Sequence, residues 1–143
     1  MENNRNDNID RTTLLRLQDY FTREKMVSAA YLFGSRSSGQ FGADSDIDIA
    51  VILPRGRDAE QAFWELAQIK EDLESAFRPI TVDVLDFERI PCRIAHEVLK
   101  TGVLIAQSDE DRRVEVEVRR QSEYLDFLPR LKYYRREVLG LDQ

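Results

Sequence analysis

Apolar positions along the chain alternate between a helical spacing and a strand spacing. Leu14, Leu17 and Phe21 recur at helical spacing, whereas the run from 46 to 53 changes face at every residue. Glycine and proline separate these segments. The predicted elements, in chain order, are a helix over 11–25, a strand over 27–33, a loop over 34–45, a strand over 46–53, a helix over 58–77 capped by Asp58, a strand over 80–86, a helix over 91–102 and a short strand over 103–106. This order predicts an α/β or α+β fold in which helices flank a small mixed sheet.

The segment from about residue 109 predicts a helical C-terminal tail. Val114, Val118, Gln121 and Leu125 recur there at helical spacing. Pro129 is predicted to divide the tail into two helices, because proline inside a helix removes a backbone hydrogen bond and crowds the preceding turn. Sheet and tail together predict a single domain over residues 1–143.

Composition narrows the classes of protein that the chain can represent. It has 143 residues, 42% of them hydrophobic, and a formal net charge of −6. This size is typical of one domain with its own core, and the acidic balance argues against broad electrostatic binding to nucleic acid. Cys92 is the only cysteine, and neither a signal peptide nor an apolar run of membrane-spanning length is visible. We therefore expect a cytoplasmic protein that binds neither a membrane nor nucleic acid directly.

The strand predicted over 46–53 has one apolar face and one face that begins with two carboxylates. The apolar face carries Ile47, Ile49, Val51 and Leu53. Asp46 and Asp48 leave the strand on the opposite face. Two carboxylates this close repel each other, and burying them unpaired costs several kcal/mol each. Either this face is open to solvent, or a cation lies between the carboxylates.

A third carboxylate lies in a later run that also predicts a strand. Asp83 is inside VDVLD, and it joins the face of Asp46 and Asp48 if the two strands pair. Three carboxylates around one point form an oxygen-rich site suited to Mg²⁺ or Mn²⁺. Because Mg²⁺ usually keeps substrate phosphates among its ligands, the triad predicts a phosphate-bearing ligand. Asp86 ends the same strand but falls on the opposite face, so Asp83 is the preferred candidate.

A Gly-Ser turn between the first two predicted strands provides the second half of such a site. Gly34 lets the backbone come close to a phosphate. The Ser35 hydroxyl and the neighbouring N–H groups can donate hydrogen bonds to the phosphate oxygens. The turn and the carboxylates together therefore predict one site for a metal-bound phosphate.

This combination of residues resembles a known family. Gly34-Ser35, ten residues, and then Asp46-Ile47-Asp48 is the signature of the DNA polymerase β-like nucleotidyltransferases. The fuller stretch LFGSRSSGQFGADSDIDIAV is similar to the minimal nucleotidyltransferases, or MNT proteins. The resemblance extends over about 31–134 and includes VDVLD, RIPCRIAHEVLKTGVLIA and EYLDFLP. It implies the polymerase β-like nucleotidyltransferase fold, and it points to the antitoxins of HEPN–MNT toxin–antitoxin pairs.

The resemblance also implies roles for individual residues. Asp46 and Asp48 would bind two Mg²⁺ ions, with Mn²⁺ as an alternative. Asp83 would complete one metal site and help to deprotonate the acceptor hydroxyl. ATP would be the substrate, and the products would be an adenylylated acceptor and pyrophosphate. The residues that would hold the triphosphate are Gly34, Ser35 and Arg36.

The function that the resemblance implies is that of a protein adenylyltransferase antitoxin. It would transfer AMP from ATP to a tyrosine hydroxyl of a cognate HEPN ribonuclease toxin and so neutralise it within a hetero-oligomer. Two alternatives remain open: an antitoxin that neutralises by occlusion without catalysis, and an adenylyltransferase for aminoglycoside-type small molecules. His96, the only histidine, is predicted to be structural or exposed. Tyr124 is predicted to pack, with contact to a partner as the alternative.

Overall fold

The computed structural model describes residues 11–34 and 46–141, and the predicted order of helices and strands is confirmed in these segments. The elements are α1 (Arg11–Asp19), β1 (Ala29–Phe33), β2 (Ile47–Ile52), α2 (Ala59–Phe77), β3 (Val82–Asp86), α3 (Cys92–Thr101), β4 (Val103–Gln107) and α4 (Glu110–Tyr133). A π-helical turn follows α1 over Tyr20–Glu24, and another follows α4 over Tyr134–Val138. In the described segments, every helix is too short or too polar to traverse a bilayer.

The strands form one mixed sheet in the order β3-β2-β1-β4. β1 is antiparallel to β2 and to β4, whereas β2 and β3 are parallel. α2 supplies the crossover connection that a parallel pair of strands requires. In this register Phe33 pairs with Asp48, and Asp48 pairs with Asp83. Because paired residues point to the same face of a sheet, Phe33 and both aspartates share one face.

Helices cover both faces of the sheet. α1 and α2 pack on one face, where Ile49 and Val51 of β2 are fully buried. α3 and α4 pack on the other face, where Ala50 and Ile52 are fully buried. The face of β2 that carries the carboxylates is therefore covered by apolar packing beyond Asp48. Only the N-terminal end of β2 can accommodate charged side chains on this face.

α4 continues through Pro129, so the prediction that this proline divides the tail into two helices is wrong. Proline withdraws one backbone N–H from the hydrogen-bond ladder of a helix. The ladder resumes soon afterwards, because the N–H of Tyr134 donates to the carbonyls of Arg130 and Leu131. α4 is therefore one long helix with a proline inside it.

The buried side of α4 is partly charged. Its buried residues are Arg112, Val116 and Arg120. The apolar stripe of the tail faces outward instead, with exposed side chains at Val114, Val118 and Leu125. Nε of Arg112 donates to the carbonyl of Leu53 at 3.0 Å, and its guanidinium pairs with Glu88. These bonds satisfy a guanidinium that burial would otherwise penalise, so an arginine can face the sheet here.

Asp58 caps α2, as predicted. Its carboxylate accepts a hydrogen bond from the N–H of Gln61 at 2.8 Å, and the Gln61 side chain accepts one from the N–H of Asp58 at 3.0 Å. This reciprocal capping box satisfies two backbone donors at the start of the helix that carries the chain from β2 to β3.

Replacing Asp58 by alanine should lower the free energy of unfolding by about 1 kcal/mol, because it leaves a helix donor without its cap. Urea denaturation measures this loss. Glu60→Ala is the matched control, because Glu60 is exposed in the same first turn but does not cap the helix. Equal losses for the two variants would contradict the contribution of the cap.

Candidate active site

β1 ends in a turn that brings its backbone against a carboxylate of β2. Gly34 has a φ of +79°, in the left-handed region that favours glycine. A Cβ at this position would lie 2.5 Å from Oδ2 of Asp48, which is closer than real Cβ contacts come. Both the backbone angle and the approach of Asp48 therefore require glycine. Ser35 and Arg36, the other predicted nucleotide-binding residues, lie outside the described residues.

Asp46, Asp48 and Asp83 lie at the same end of the sheet. Asp46 is exposed just before β2, Asp48 is half-buried, and the side chain of Asp83 on β3 is 52% exposed. Burial raises the pKa of the Asp48 carboxyl, and the negative charges of Asp83 and Asp46 raise it further. The charges of Asp46 and Asp83 thus lie close enough to act on the Asp48 carboxyl.

The chemistry of these side chains fits a hard divalent cation. All three donors are carboxylate oxygens. A positive charge among them would relieve the repulsion that adds to burial in raising the pKa of Asp48. Within 11–34 and 46–141, no three acidic, histidine or cysteine side chains are gathered closely enough to hold an ion by themselves. Mg²⁺ commonly takes one or two carboxylates and completes its shell with water and substrate phosphates. The arrangement therefore suits an ion that binds together with a phosphate-bearing ligand.

Asp86 points away from this group. It pairs with Val51, which lies on the opposite face of the sheet from Asp48. Its buried carboxylate accepts hydrogen bonds from Arg89 at 2.6 Å and from the N–H of Glu88 at 2.9 Å. Asp86 therefore has a structural role, and Asp83 is the aspartate of β3 that faces Asp48.

Two side chains of α2 hold the outer edge of β3 next to Asp83. The carboxylate of Glu74 accepts a hydrogen bond from the N–H of Val82 at 3.2 Å, and Nζ of Lys70 donates to the Val82 carbonyl at 2.5 Å. Nζ of Lys70 also lies 3.6 Å from Oδ1 of Asp83. Lys70 and Glu74, which we call the edge clamp, therefore hold the backbone beside Asp83 and satisfy groups that an edge strand leaves open.

Sequence reasoning missed the edge clamp. The only signal was the spacing of a lysine and a glutamate on one face of a predicted helix. That spacing is common on solvated helices, and it does not say which strand the side chains reach.

An open pocket lies between α3 and α4 and includes Gly34 in its wall. Its volume is about 630 Å³. Its lining residues are Phe33, Gly34, Arg93, Ile94, His96, Glu97, Thr101 and Tyr124. The imidazole of His96 stacks on the ring of Tyr124, with 3.9 Å between centroids and 6° between planes. We call this cavity the α3–α4 pocket; it lies on the same face of the sheet as Asp48.

The family of the chain follows from its sequence. Residues 16–111 match the family "Polymerase beta, Nucleotidyltransferase". Because the match covers more than half of the chain, the protein belongs to this family, as the resemblance implied. No curated protein matches the chain.

Several solved structures share the fold. A chain from the crystal structure of the toxin–antitoxin MntA–HepT is 20% identical, with a TM-score of 0.61 over 92% of this chain and 97% of that chain. A chain from a toxin–antitoxin with AMP-PNP is 21% identical, with a TM-score of 0.59 over 92% and 97%. A chain from the complex of tri-AMPylated Shewanella oneidensis HEPN toxin with MNT antitoxin is 21% identical, with a TM-score of 0.50 over 96% and 97%. At these identities the likeness confirms the predicted fold.

Asp48→Asn should stabilise the protein in the absence of divalent ions. The pKa of Asp48 is raised on folding, so the native state binds more protons than the unfolded chain between the ordinary value of 3.8 and the raised value. Wild-type stability therefore falls as pH rises through this window. We expect the variant to have a higher Tm than the wild type above the window and an equal Tm below it. Thermal unfolding in a chelator, from about pH 3 to 8, measures the difference.

Asp126→Asn on the exposed side of α4 is the matched control and should follow the wild type at every pH. A Tm for Asp48→Asn that is equal to or below that of the wild type at neutral pH would contradict the electrostatic cost at Asp48.

Glu74→Ala should loosen the edge of β3. The substitution removes the acceptor of the Val82 N–H, and a hydrogen bond of this kind typically contributes about 1 kcal/mol. We expect hydrogen exchange at the Val82 amide to become several-fold faster. Glu71→Ala, at an exposed position of the same helix, should leave this exchange rate unchanged. Unaltered exchange in Glu74→Ala would rule out the edge clamp.

Proposed function

We propose that this protein is a Mg²⁺-dependent adenylyltransferase antitoxin. It would transfer AMP from ATP to a tyrosine hydroxyl of a cognate HEPN ribonuclease toxin in the cytoplasm and so neutralise it. The observation that carries the proposal is the pairing of Asp48 with Asp83 beside Gly34, in a chain of the polymerase β nucleotidyltransferase family. The fold is also that of chains found with AMP-PNP and with a tri-AMPylated HEPN toxin, which supports the choice of ATP and of this partner.

The proposal assigns binding roles to the turn and to β2. The backbone at Gly34 would come close to the triphosphate. Ser35 and Arg36, which lie outside the described residues, would also bind the triphosphate. Asp46 and Asp48 would hold two Mg²⁺ ions. Bound divalent ions would supply electrostatic stabilisation of the negative charge that develops on the attacking and leaving oxygens.

Asp83 has the catalytic role in the proposal. Its half-exposed carboxylate, on the outer strand of the sheet, accepts the proton of the acceptor hydroxyl. The tyrosine oxygen forms a bond to the α-phosphorus as the bond from that phosphorus to the β-phosphate oxygen breaks, and pyrophosphate leaves. Nζ of Lys70, 3.6 Å from Oδ1 of Asp83, would restrict the orientation of this carboxylate. The AMP group adds negative charge and bulk to the toxin, which opposes binding of RNA nearby.

Neutralisation by occlusion alone is the second candidate function. It is favoured by the exposed apolar side chains along α4, where Val118 is 60% exposed and Tyr133 is 66% exposed. Apolar groups of this kind are suited to contact with a partner protein. Occlusion alone, however, gives no reason for aspartates that repel each other on neighbouring strands.

Incubating the purified protein with the toxin, Mg²⁺ and ATP labelled at the α-phosphate should place label on a toxin tyrosine and release an equal amount of pyrophosphate. The double variant Asp46→Asn/Asp48→Asn should lower the labelling rate at least about 100-fold, because it removes the metal-binding carboxylates. Asp126→Asn, a matched aspartate on α4, should label at the wild-type rate.

Two results would overturn the proposal. An unlabelled toxin in the presence of folded wild-type protein would exclude the adenylyltransferase activity towards it. Full neutralisation of the toxin by the double variant would favour occlusion.

A further inference from the structure

Five arginines gather around an open pocket at the end of the sheet opposite the aspartates. The pocket has a volume of about 490 Å³ and lies between the loop from β2 to α2, the turn after β3 and the N-terminal half of α4. We call it the arginine pocket, and its cationic residues are Arg55, Arg57, Arg89, Arg112 and Arg119. We infer that it binds a compact oligophosphate anion, such as pyrophosphate or the phosphate chain of a nucleotide. The inference does not depend on the proposed adenylyl transfer, in which these arginines have no role.

The arginine pocket is separate from the proposed metal site. β2 and β3 are parallel, with Asp48 and Asp83 near their N-terminal ends. The pocket lies where both strands end, since Nε of Arg112 donates to the carbonyl of Leu53 at 3.0 Å. The chain from Asp48 to Leu53 rises roughly 17 Å at the usual rise of a strand. An anion in the arginine pocket therefore leaves the proposed triphosphate site at Gly34 free.

The positive charge of the pocket contrasts with the formal net charge of the chain, which is −6. Two glutamates also line the pocket. The two carboxylate oxygens of Glu88 pair with Arg112 and Arg119, and Glu115 pairs with Arg55 at 2.8 Å. These two carboxylates cannot neutralise the five guanidiniums of the wall.

The other two arginines have carboxylate partners outside the wall. Arg57 pairs with Glu65 at 2.9 Å, and Arg89 pairs with Asp86 at 2.6 Å. When these partners are included, the cluster still has one guanidinium more than it has carboxylates. The pocket therefore keeps a local excess of positive charge, which attracts an anion.

Two of the arginines can turn towards a ligand at little cost. The side chains of Arg55 and Arg119 are 56% and 47% exposed, and ion pairs as exposed as theirs contribute little to stability. A guanidinium has five N–H donors in a fork that matches two phosphate oxygens. Among the described residues, Arg119 uses only one terminal nitrogen, towards Glu88. A multiply charged phosphate group can therefore replace weak contacts with stronger charge-assisted hydrogen bonds.

The remainder of the wall favours recognition of phosphate groups alone. Arg112, whose side chain is 7% exposed, is fixed at the base of the pocket by Leu53 and Glu88. Gly56 has a φ of +88°, and a Cβ there would meet nothing within 4 Å, so the loop leaves space beside the arginines. Within the described part of the chain, neither an aromatic nor an apolar side chain lines the pocket. Its walls therefore offer charge and hydrogen bonds but no surface on which a base could stack.

Isothermal titration of the full chain with pyrophosphate, in metal-stripped buffer without a chelator, tests the inference. Without divalent ions the aspartates repel a polyanion, so the binding heat reports the arginine pocket. We expect saturable binding that Arg55→Gln/Arg119→Gln weakens about 10-fold or more, because two charged hydrogen-bond donors are removed. Arg130→Gln/Arg135→Gln is the matched control, since it makes the same change of charge at exposed positions farther along the tail. It should leave the affinity unchanged.

Three results of this titration would overturn the inference. They are the absence of pyrophosphate binding by the folded wild type, wild-type affinity in Arg55→Gln/Arg119→Gln, and an equal loss in the two double variants. The third would show attraction by overall charge rather than a site.

Two further titrants distinguish the sources of the anion. AMP-PNP that binds as tightly as pyrophosphate, without metal, would show that the pocket accepts the phosphate chain of a nucleotide. Weaker binding of AMP-PNP would identify free pyrophosphate as the ligand. AMP has one phosphate and should bind at least about 10-fold more weakly than pyrophosphate. Equal affinity for AMP and pyrophosphate would contradict recognition of an oligophosphate.

Amide chemical shifts of the wild-type chain, recorded during the same pyrophosphate titration, provide a test that needs no variant. We expect the largest changes at Gly56 and Arg89, which line the pocket, and small changes at Asp48 and Asp83. The reverse pattern would place the anion at the aspartates and overturn the inference.

Discussion

The repulsion between Asp48 and Asp83 is the constraint on which the site depends. Like charges directly opposite each other destabilise neighbouring strands. Burial raises the pKa of Asp48, and the charge of Asp83 raises it further. The sheet maintains the arrangement because the remainder of β2 is strongly held. Its residues from Ile49 to Ile52 are fully buried between helices on both faces. A locally unfavourable contact supported by a stable surrounding structure is typical of a functional site.

The elements beside this carboxylate pair restrict it from two directions. On the β1 side, Gly34 brings backbone against Asp48, where any side chain would collide with the carboxylate. On the β3 side, Nζ of Lys70 lies 3.6 Å from Oδ1 of Asp83. Glu74, the other residue of the edge clamp, accepts a hydrogen bond from the N–H of Val82. The β1 side thus places backbone next to Asp48, and the β3 side places the cation of Lys70 next to Asp83.

Local patterns predicted most of this architecture. Alternation along β2, the capping residue Asp58 and the aspartate of β3 are all short-range signals, and short-range signals are what a single sequence expresses most directly. The prediction that Pro129 divides the tail was wrong because a long helix can lose one backbone hydrogen bond and continue. The buried side of α4 could not be predicted from hydrophobicity, since Arg112 is stabilised there by the Leu53 carbonyl and by Glu88, both distant in sequence.

The edge clamp and the α3–α4 pocket also depend on contacts between residues that are distant in sequence. Both features follow from the order of the strands in the sheet. Because β2 lies between β1 and β3, its two neighbours give Asp48 a different environment on each side. Towards β1 the face continues to Phe33 and the rings between α3 and α4; towards β3 it ends at an outer strand with a charged edge. The carboxylates of Asp48 and Asp83 therefore lie between an aromatic pocket on one side and a charged, half-exposed strand edge on the other.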